Sequence, residues 1–261
     1  MSVAELRRES ATSGPAWLAG RRWLRRTDPF PHVVAYDVFA PRVLARLEDA
    51  FRTTVEEHSG RPYLAAYDIG GASVTAETAH RFEPLVTRRF HDMIAHLLGL
   101  SVTGHVACGL HQHRIGSSSG FAHNDLNPGW FNGVPGPGEL VLGDDAVSYT
   151  TGETYDPTVR PVETVRAAAL LFYLANEPWT PGDGGFTGLY DSGDTPVDRP
   201  RAIAPPINNS LLLFRCTPRS YHTFVSNQRH VRNSIIMWLH RPAADVVREW
   251  GPDAIVPYGE P

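Results

Sequence analysis

The residues best suited to chemistry fall in two distant stretches. The first is His123-Asn124-Asp125. In an extended strand, residues i and i+2 project to the same face, so an imidazole and a carboxylate placed there can reach one metal ion together; on a helix they would diverge. The second stretch covers residues 210–241. It holds an apolar strand Leu211-Leu212-Leu213-Phe214, a turn at Pro218-Arg219-Ser220, then His222-Thr223-Phe224-Val225, a polar hairpin over 226–231, and a long run from Arg232 to His240. Strand alternation sets Arg232, Ser234, Ile236, Trp238 and His240 on one face of that run, and Asn233, Ile235, Met237, Leu239 and Arg241 on the other. An Arg and a Ser entering so apolar a strand stand out. Facing inward, the guanidinium requires an anionic partner, because an unpaired buried charge is prohibitively costly. Facing water at a strand end, it requires none.

Taken together, His123, Asp125 and His222 form the 2-His-1-carboxylate set of non-haem Fe(II) oxygenases, three ligands on one face of an octahedron with the opposite face open. An Arg then meets the far carboxylate of a chelating co-substrate through two parallel hydrogen bonds, and a Ser adds a third donor. His222 follows Asp125 by 97 residues and Arg232 follows His222 by ten. This order resembles the Fe(II)/2-oxoglutarate-dependent oxygenases, and specifically their prolyl-4-hydroxylase-like branch. The resemblance is good from about Gly104 to Arg241, where Gly184-Gly185, His222-Thr-Phe-Val and Arg232-Asn-Ser-Ile-Ile-Met-Trp238 carry it. It is patchy before residue 100, where Pro29-Phe30-Pro31-His32-Val33-Val34 looks like the branch's opening.

The resemblance implies a mainly β fold with N-terminal helices, built around a double-stranded β-helix (a jelly-roll, cupin-like barrel). It implies Fe(II) on His123, Asp125 and His222, and 2-oxoglutarate held at its distal carboxylate by Arg232 and Ser234, with Trp238 beside it. It further implies consumption of O₂ with release of succinate and CO₂ as a substrate C–H bond is hydroxylated. Related halogenases replace the acid with Gly or Ala, so Asp125 favours hydroxylation over chlorination. Two departures bear on substrate: the basic residue is Arg where many members have Lys, and a long insertion follows the first two ligands.

Around these residues the chain reads in three parts of one domain, 1–261. Residues 1–100 form helical support, with a short strand at 33–39 and helices at 41–58 and 82–98, the first led by Pro41 and the second stopped by Gly99. Residues 101–241 form the jelly-roll core. Its strands lie near 104–115, 120–125, 165–174, 185–190, 201–204, 210–215, 222–225 and 232–240, with an aperiodic insertion at 127–161. Residues 242–261 are a C-terminal tail. His111 and His113 share one face of their strand, Gln112 and Arg114 the other, and one of these pairs is a candidate for the pocket wall. His240 lies far down its strand and reads as structural.

Composition narrows the field. The 261 residues carry 24 basic and 28 acidic side chains, for a formal charge of −4. No overall positive field gathers nucleic acid or anionic lipid. No apolar run reaches the roughly 18 residues of a membrane helix, and residues 1–27 lack the apolar core of a signal peptide, so a cytoplasmic protein is expected. Cys108 and Cys216 read as small buried strand residues. Lysine is absent, which excludes Schiff-base chemistry on a protein amine. With abundant Ala, Gly and Pro, this suggests a GC-rich bacterial genome.

The insertion holds Glu139, Asp144, Asp145, Glu153, Asp156 and Glu163 with Trp130, Phe131, Tyr149 and Tyr155. As a lid it would present carboxylates and rings to a small polar, cationic or sugar-like molecule. An amino acid or aminoglycoside-like secondary metabolite is the first reading and peptidyl proline the alternative. Oligomeric state is open. A non-oxidative, metal-dependent cupin isomerase or epimerase and a non-catalytic jelly-roll binding module are rivals from other classes; the first leaves Arg232 and Ser234 without a task, and the second predicts no iron requirement.

Overall fold

A computed structural model describes residues 17–19, 22–59 and 69–258. It is mainly β. Twelve strands and three α-helices alternate as β1 (Arg22–Arg26), β2 (His32–Tyr36), α1 (Pro41–Glu57), β3 (Ile69–Ser73), α2 (Arg88–Leu98), β4 (His105–His113), β5 (Pro128–Asn132), β6 (Val141–Leu142), β7 (Pro161–Tyr173), β8 (Thr187–Leu189), β9 (Ala202–Ala204), β10 (Ser210–Arg215), β11 (His222–Phe224), β12 (Arg232–Arg241) and α3 (Ala243–Trp250). The larger sheet runs β1-β2-β10-β7-β12-β4-β3, with β5 added to β7 and β6 to β4. The smaller sheet runs β11-β8-β9.

The alternation expected for β12 holds. Ile235, Met237 and Leu239 enter a core shared with Leu47 and Phe51 of α1 and Phe90 and Ile94 of α2. Ile236 and Trp238 pack on the opposite side, with Leu126, Leu171, Leu189, Leu212 and Phe214. The large sheet is therefore covered by α1 and α2 on one face and bears the functional side chains on the other, where α3 also packs. The cysteines are free and buried, as expected.

Three expectations change. The second helix begins at Arg88, not 82. Glu83 is extended, as a residue before proline prefers, and the Thr87 hydroxyl caps the helix by accepting from the Phe90 amide at 3.3 Å. The first hundred residues also supply three strands to the large sheet. Residues 1–27 read as a solvated arm or first helix, yet Arg22–Arg26 pairs with β2 as an exposed edge strand, where arginines discourage pairing with other chains. Its neighbours before Trp17 lie outside the described residues. The Gly-rich β3 has no periodicity to announce it. Finally, the insertion is not aperiodic throughout, because its first residues form β5 and pair with Pro161–Val165 of β7. No helix among the described residues is long and apolar enough to cross a membrane.

Candidate metal centre and co-substrate pocket

His123 and Asp125 do converge, although not by strand alternation, since neither lies in a strand. His123 makes an isolated bridge to His222, with amide-to-carbonyl distances of 3.1 and 2.9 Å in the two directions. This clamps two residues 99 positions apart side by side. The chain then turns through Asp125, whose φ of 62° is left-handed, while the Asn124 side chain accepts from the Leu126 amide at 3.0 Å. Such Asx geometry suits a tight turn. It swings the carboxylate back beneath the imidazoles. His123 Nε2 lies 3.7 Å from Asp125 Oδ1 and His222 Nε2 lies 3.4 Å from Oδ2. One ligand atom from each of the three lies within 4.8 Å of the others.

The donor set fits a divalent transition metal. Each histidine has a backbone carbonyl at its Nδ1, Phe121 O at 2.9 Å for His123 and Ser220 O at 3.0 Å for His222. A carbonyl only accepts, so Nδ1 carries the proton in both rings and both Nε2 lone pairs point into the cluster. Burial, reinforced by His222, draws the His123 imidazole down to about 4, so it is neutral and ready to ligate at neutral pH. Burial resists ionisation of Asp125, but the adjacent Arg166 guanidinium and the two histidines outweigh it and hold the carboxyl well below its usual range. The centre thus offers two imidazole nitrogens and one carboxylate.

The cluster sits in a cavity of about 800 Å³ whose wall includes Arg232, Thr187, Trp238, Tyr149 and Tyr258. Arg232 faces inward, with 2% exposure. Its Nη1 donates to Ser234 Oγ at 3.0 Å and its Nη2 to Thr187 Oγ1 at 3.3 Å. The Thr187 hydroxyl also bonds the Tyr173 phenol at 2.7 Å. All these partners are neutral, and Arg232 Nε has none. Ser234 lies behind the guanidinium and supports it rather than lining the cavity. Of the two candidate pairs on β4, His111 and His113 line the pocket. Burial and Arg232 pull His111 down to about 3 and hold His113 lower still, so both stay neutral. His113 Nδ1, also buried, lacks a partner.

Trp238 lines the same cavity as Arg232. Its Nε1 donates to Asp125 Oδ2 at 2.7 Å. The sequence reading missed Arg166, which donates from Nη1 to Asp125 Oδ1 at 2.5 Å and whose guanidinium carbon stacks 3.8 Å from the Trp238 ring centre. The signal was available: Arg166 directly precedes the apolar run Ala167–Tyr173 within β7, as Arg232 heads β12.

Residues 146–240 match the family model described as the 2OG-Fe(II) oxygenase superfamily. Over that span the chain is similar to a 2OG-Fe(II) oxygenase domain. The matched span contains His222, Arg232, Ser234 and Trp238, and the geometry adds His123 and Asp125 from upstream. The family uses Fe(II), 2-oxoglutarate and O₂. The oxygenase fold is also that of solved structures of low sequence identity. A prolyl-4-hydroxylase from Pseudomonas putida is 16% identical with a TM-score of 0.51, covering 85% of this chain and 93% of that one. A prolyl 4-hydroxylase from Phytophthora capsici is 17% identical with a TM-score of 0.51, covering 88% and 63%. A prolyl hydroxylase from Trichoplax adhaerens, solved with a peptide fragment of the oxygen degradation domain of hypoxia inducible factor, is 14% identical with a TM-score of 0.51, covering 80% and 83%. No curated protein is a significant sequence match.

Proposed function

We propose that this oxygenase hydroxylates a C–H bond of a peptidyl substrate, with proline as the first residue to test. His123, Asp125 and His222 would hold Fe(II), and Arg232 the distal carboxylate of 2-oxoglutarate. We read residues 1–261 as one oxygenase domain and the two sheets as walls of a double-stranded β-helix, a reading supported by the hydrogen bond from Arg232 of β12 in the larger sheet to Thr187 of β8 in the smaller. The observation that carries the functional reading is the pairing of a three-ligand centre with a buried, charge-unpaired guanidinium in one cavity.

When bound, Fe(II), 2-oxoglutarate and O₂ supply the oxidation, and the co-substrate leaves as succinate and CO₂. The chain supplies position. The two Nδ1–H bonds fix the imidazole planes. Trp238 and Arg166 fix the carboxylate. Arg232, propped by Ser234 and Thr187, sets the orientation of the dicarboxylate.

The peptidyl reading rests on the prolyl hydroxylase neighbours and on an open rim at which Phe121 is 46% exposed beside the metal ligands. A second reading, a small polar or cationic metabolite, draws on Asp144 and Asp145, which the insertion brings to the same cavity. Anaerobic addition of Fe(II) and 2-oxoglutarate is expected to give a weak visible charge-transfer band, which Asp125→Ala abolishes. Absence of the band in the wild-type protein, or substrate-coupled succinate release that survives Asp125→Ala, rejects the assignment. Succinate release driven by proline-containing peptides but not by free amino acids or aminoglycosides separates the two substrate readings.

A further inference from the structure

The insertion, the C-terminal tail and the far end of β12 meet at one carboxylate. Asp125 receives Arg166 on one oxygen and Trp238 on the other, so its plane is pinned from both sides. Arg166 is itself held: its Nε donates to the Tyr149 hydroxyl at 3.0 Å. Tyr149 Oη lies 3.2 Å from His240 Nε2, and His240 Nδ1 lies 2.9 Å from Thr164 Oγ1.

The direction of every bond in this chain is determined. Thr164 spends its single hydroxyl hydrogen on Gly129 O, at 2.8 Å, so it accepts from His240 and Nδ1 carries the proton. His240 Nε2 then holds a lone pair and accepts from the Tyr149 O–H. The Tyr149 oxygen is left to accept from Arg166, and the neighbouring Tyr258 hydroxyl, also bonded to it, fills the second lone pair as donor. Burial keeps His240 neutral, consistent with one ring proton. Space is reserved for this arrangement: a Cβ at Gly129 would lie 2.7 Å from both the His240 and Tyr149 rings.

We propose that Tyr149 and His240 are positioning residues, which act through Arg166 to fix the orientation of Asp125 and thereby set the affinity and geometry of the metal centre. On this account the insertion is more than a cover, since it contributes the middle bond of a relay that ends on a ligand. The proposal rests on the metal-site reading above. Partners one bond removed from a metal ligand typically influence affinity or activity by 10–100-fold.

The test uses Co(II) added anaerobically to the metal-free full-length protein, reading both the dissociation constant and the visible ligand-field spectrum. Tyr149→Phe keeps the ring and removes only the hydroxyl. It is expected to weaken Co(II) binding about 10-fold and to alter the spectrum, with a melting temperature of the metal-free protein close to that of wild type. Arg166→Lys keeps the charge but cannot bridge Tyr149 and Asp125, and is expected to lose affinity at least as strongly. Thr164→Val, which touches neither Asp125 nor Arg166, is expected to move both readouts in the same direction by less. Tyr155→Phe, on a fully exposed insertion tyrosine, is the control and leaves both unchanged. Wild-type affinity and spectrum in Tyr149→Phe or in Arg166→Lys overturn the proposal. Failure of the wild-type protein to bind one equivalent of Co(II) overturns the metal-site reading beneath it.

Discussion

Two arginines are buried in the same cavity, and they are opposites. Arg166, on β7, has a carboxylate, a phenol and an indole face around it. Arg232, on β12, has hydroxyl partners, the Tyr173 and Phe224 rings and an unbonded Nε, but no carboxylate. Burial pulls on both guanidinium groups. At Arg166 the neighbouring Tyr149 and Asp125 outweigh it and the group is held more firmly protonated than usual. At Arg232 burial prevails and the group is pushed down. A buried cation matched by an anion of its own chain is a brace. One left with neutral partners is a receptor, because the anion that would satisfy it has to come from outside. On the function proposed above, the contrast distinguishes the two ends of the cavity: a metal centre fixed in advance, and a socket for a dicarboxylate.

The largest test of this contrast is stability. Arg166→Met strands Asp125 in the interior and is expected to destabilise the metal-free protein by about 3–5 kcal/mol, whereas Arg232→Met removes an unmatched charge and is expected to cost less than about 1 kcal/mol or to stabilise. Urea unfolding of the two variants decides it, and equal losses would erase the distinction. Next comes co-substrate affinity. Arg232→Met should weaken 2-oxoglutarate binding on the order of 100-fold, as truncation of a buried, hydrogen-bonded charge pair does. Arg232→Lys should lie between, because an ammonium cannot form the two parallel bonds. Titration of the anaerobic charge-transfer band reports both. Thr187→Val removes one prop of the Arg232 guanidinium and is expected to weaken 2-oxoglutarate binding by about 1 kcal/mol, roughly 5-fold, with no change in Co(II) affinity.

A separate effect is a pH slope at the socket end. The unfolded His111 imidazole takes up a proton near 6.5, whereas the folded protein resists until about 3. The folded pKa is depressed, so stability is full above about 6.5 and is lost as pH falls from there toward 3. The loss amounts to about 1.4 kcal/mol per histidine for each pH unit. His113 adds to the same slope. His113→Gln, neutral at every pH, should make the fall in melting temperature between pH 7 and pH 5 shallower; an unchanged slope would show that His113 is protonated in the fold.

Local pattern made much of the fold and site legible. The period of β12 separated its two faces correctly, because alternation is a property of the strand itself. Val43, Leu44, Leu47, Phe51 and Val55 marked α1, and Gly99, at φ 63°, ended α2. Strands β1 and β3 escaped because edge strands carry little hydrophobic signal: one is arginine-rich and the other glycine-rich. Arg166 escaped because its role depends on a carboxylate 41 residues earlier in the chain.

The sequence by itself determined which side chains could ligate a metal and which cation could face a dicarboxylate, since these follow from residue type, spacing and strand periodicity. Only the tertiary structure decided that His123 and His222 lie side by side, that a left-handed turn aims Asp125 between them, and that one buried arginine is matched while the other is not. The reason is that pairing across the interior is set by long-range contacts, and the cost of a buried charge depends on the groups the whole fold brings to it.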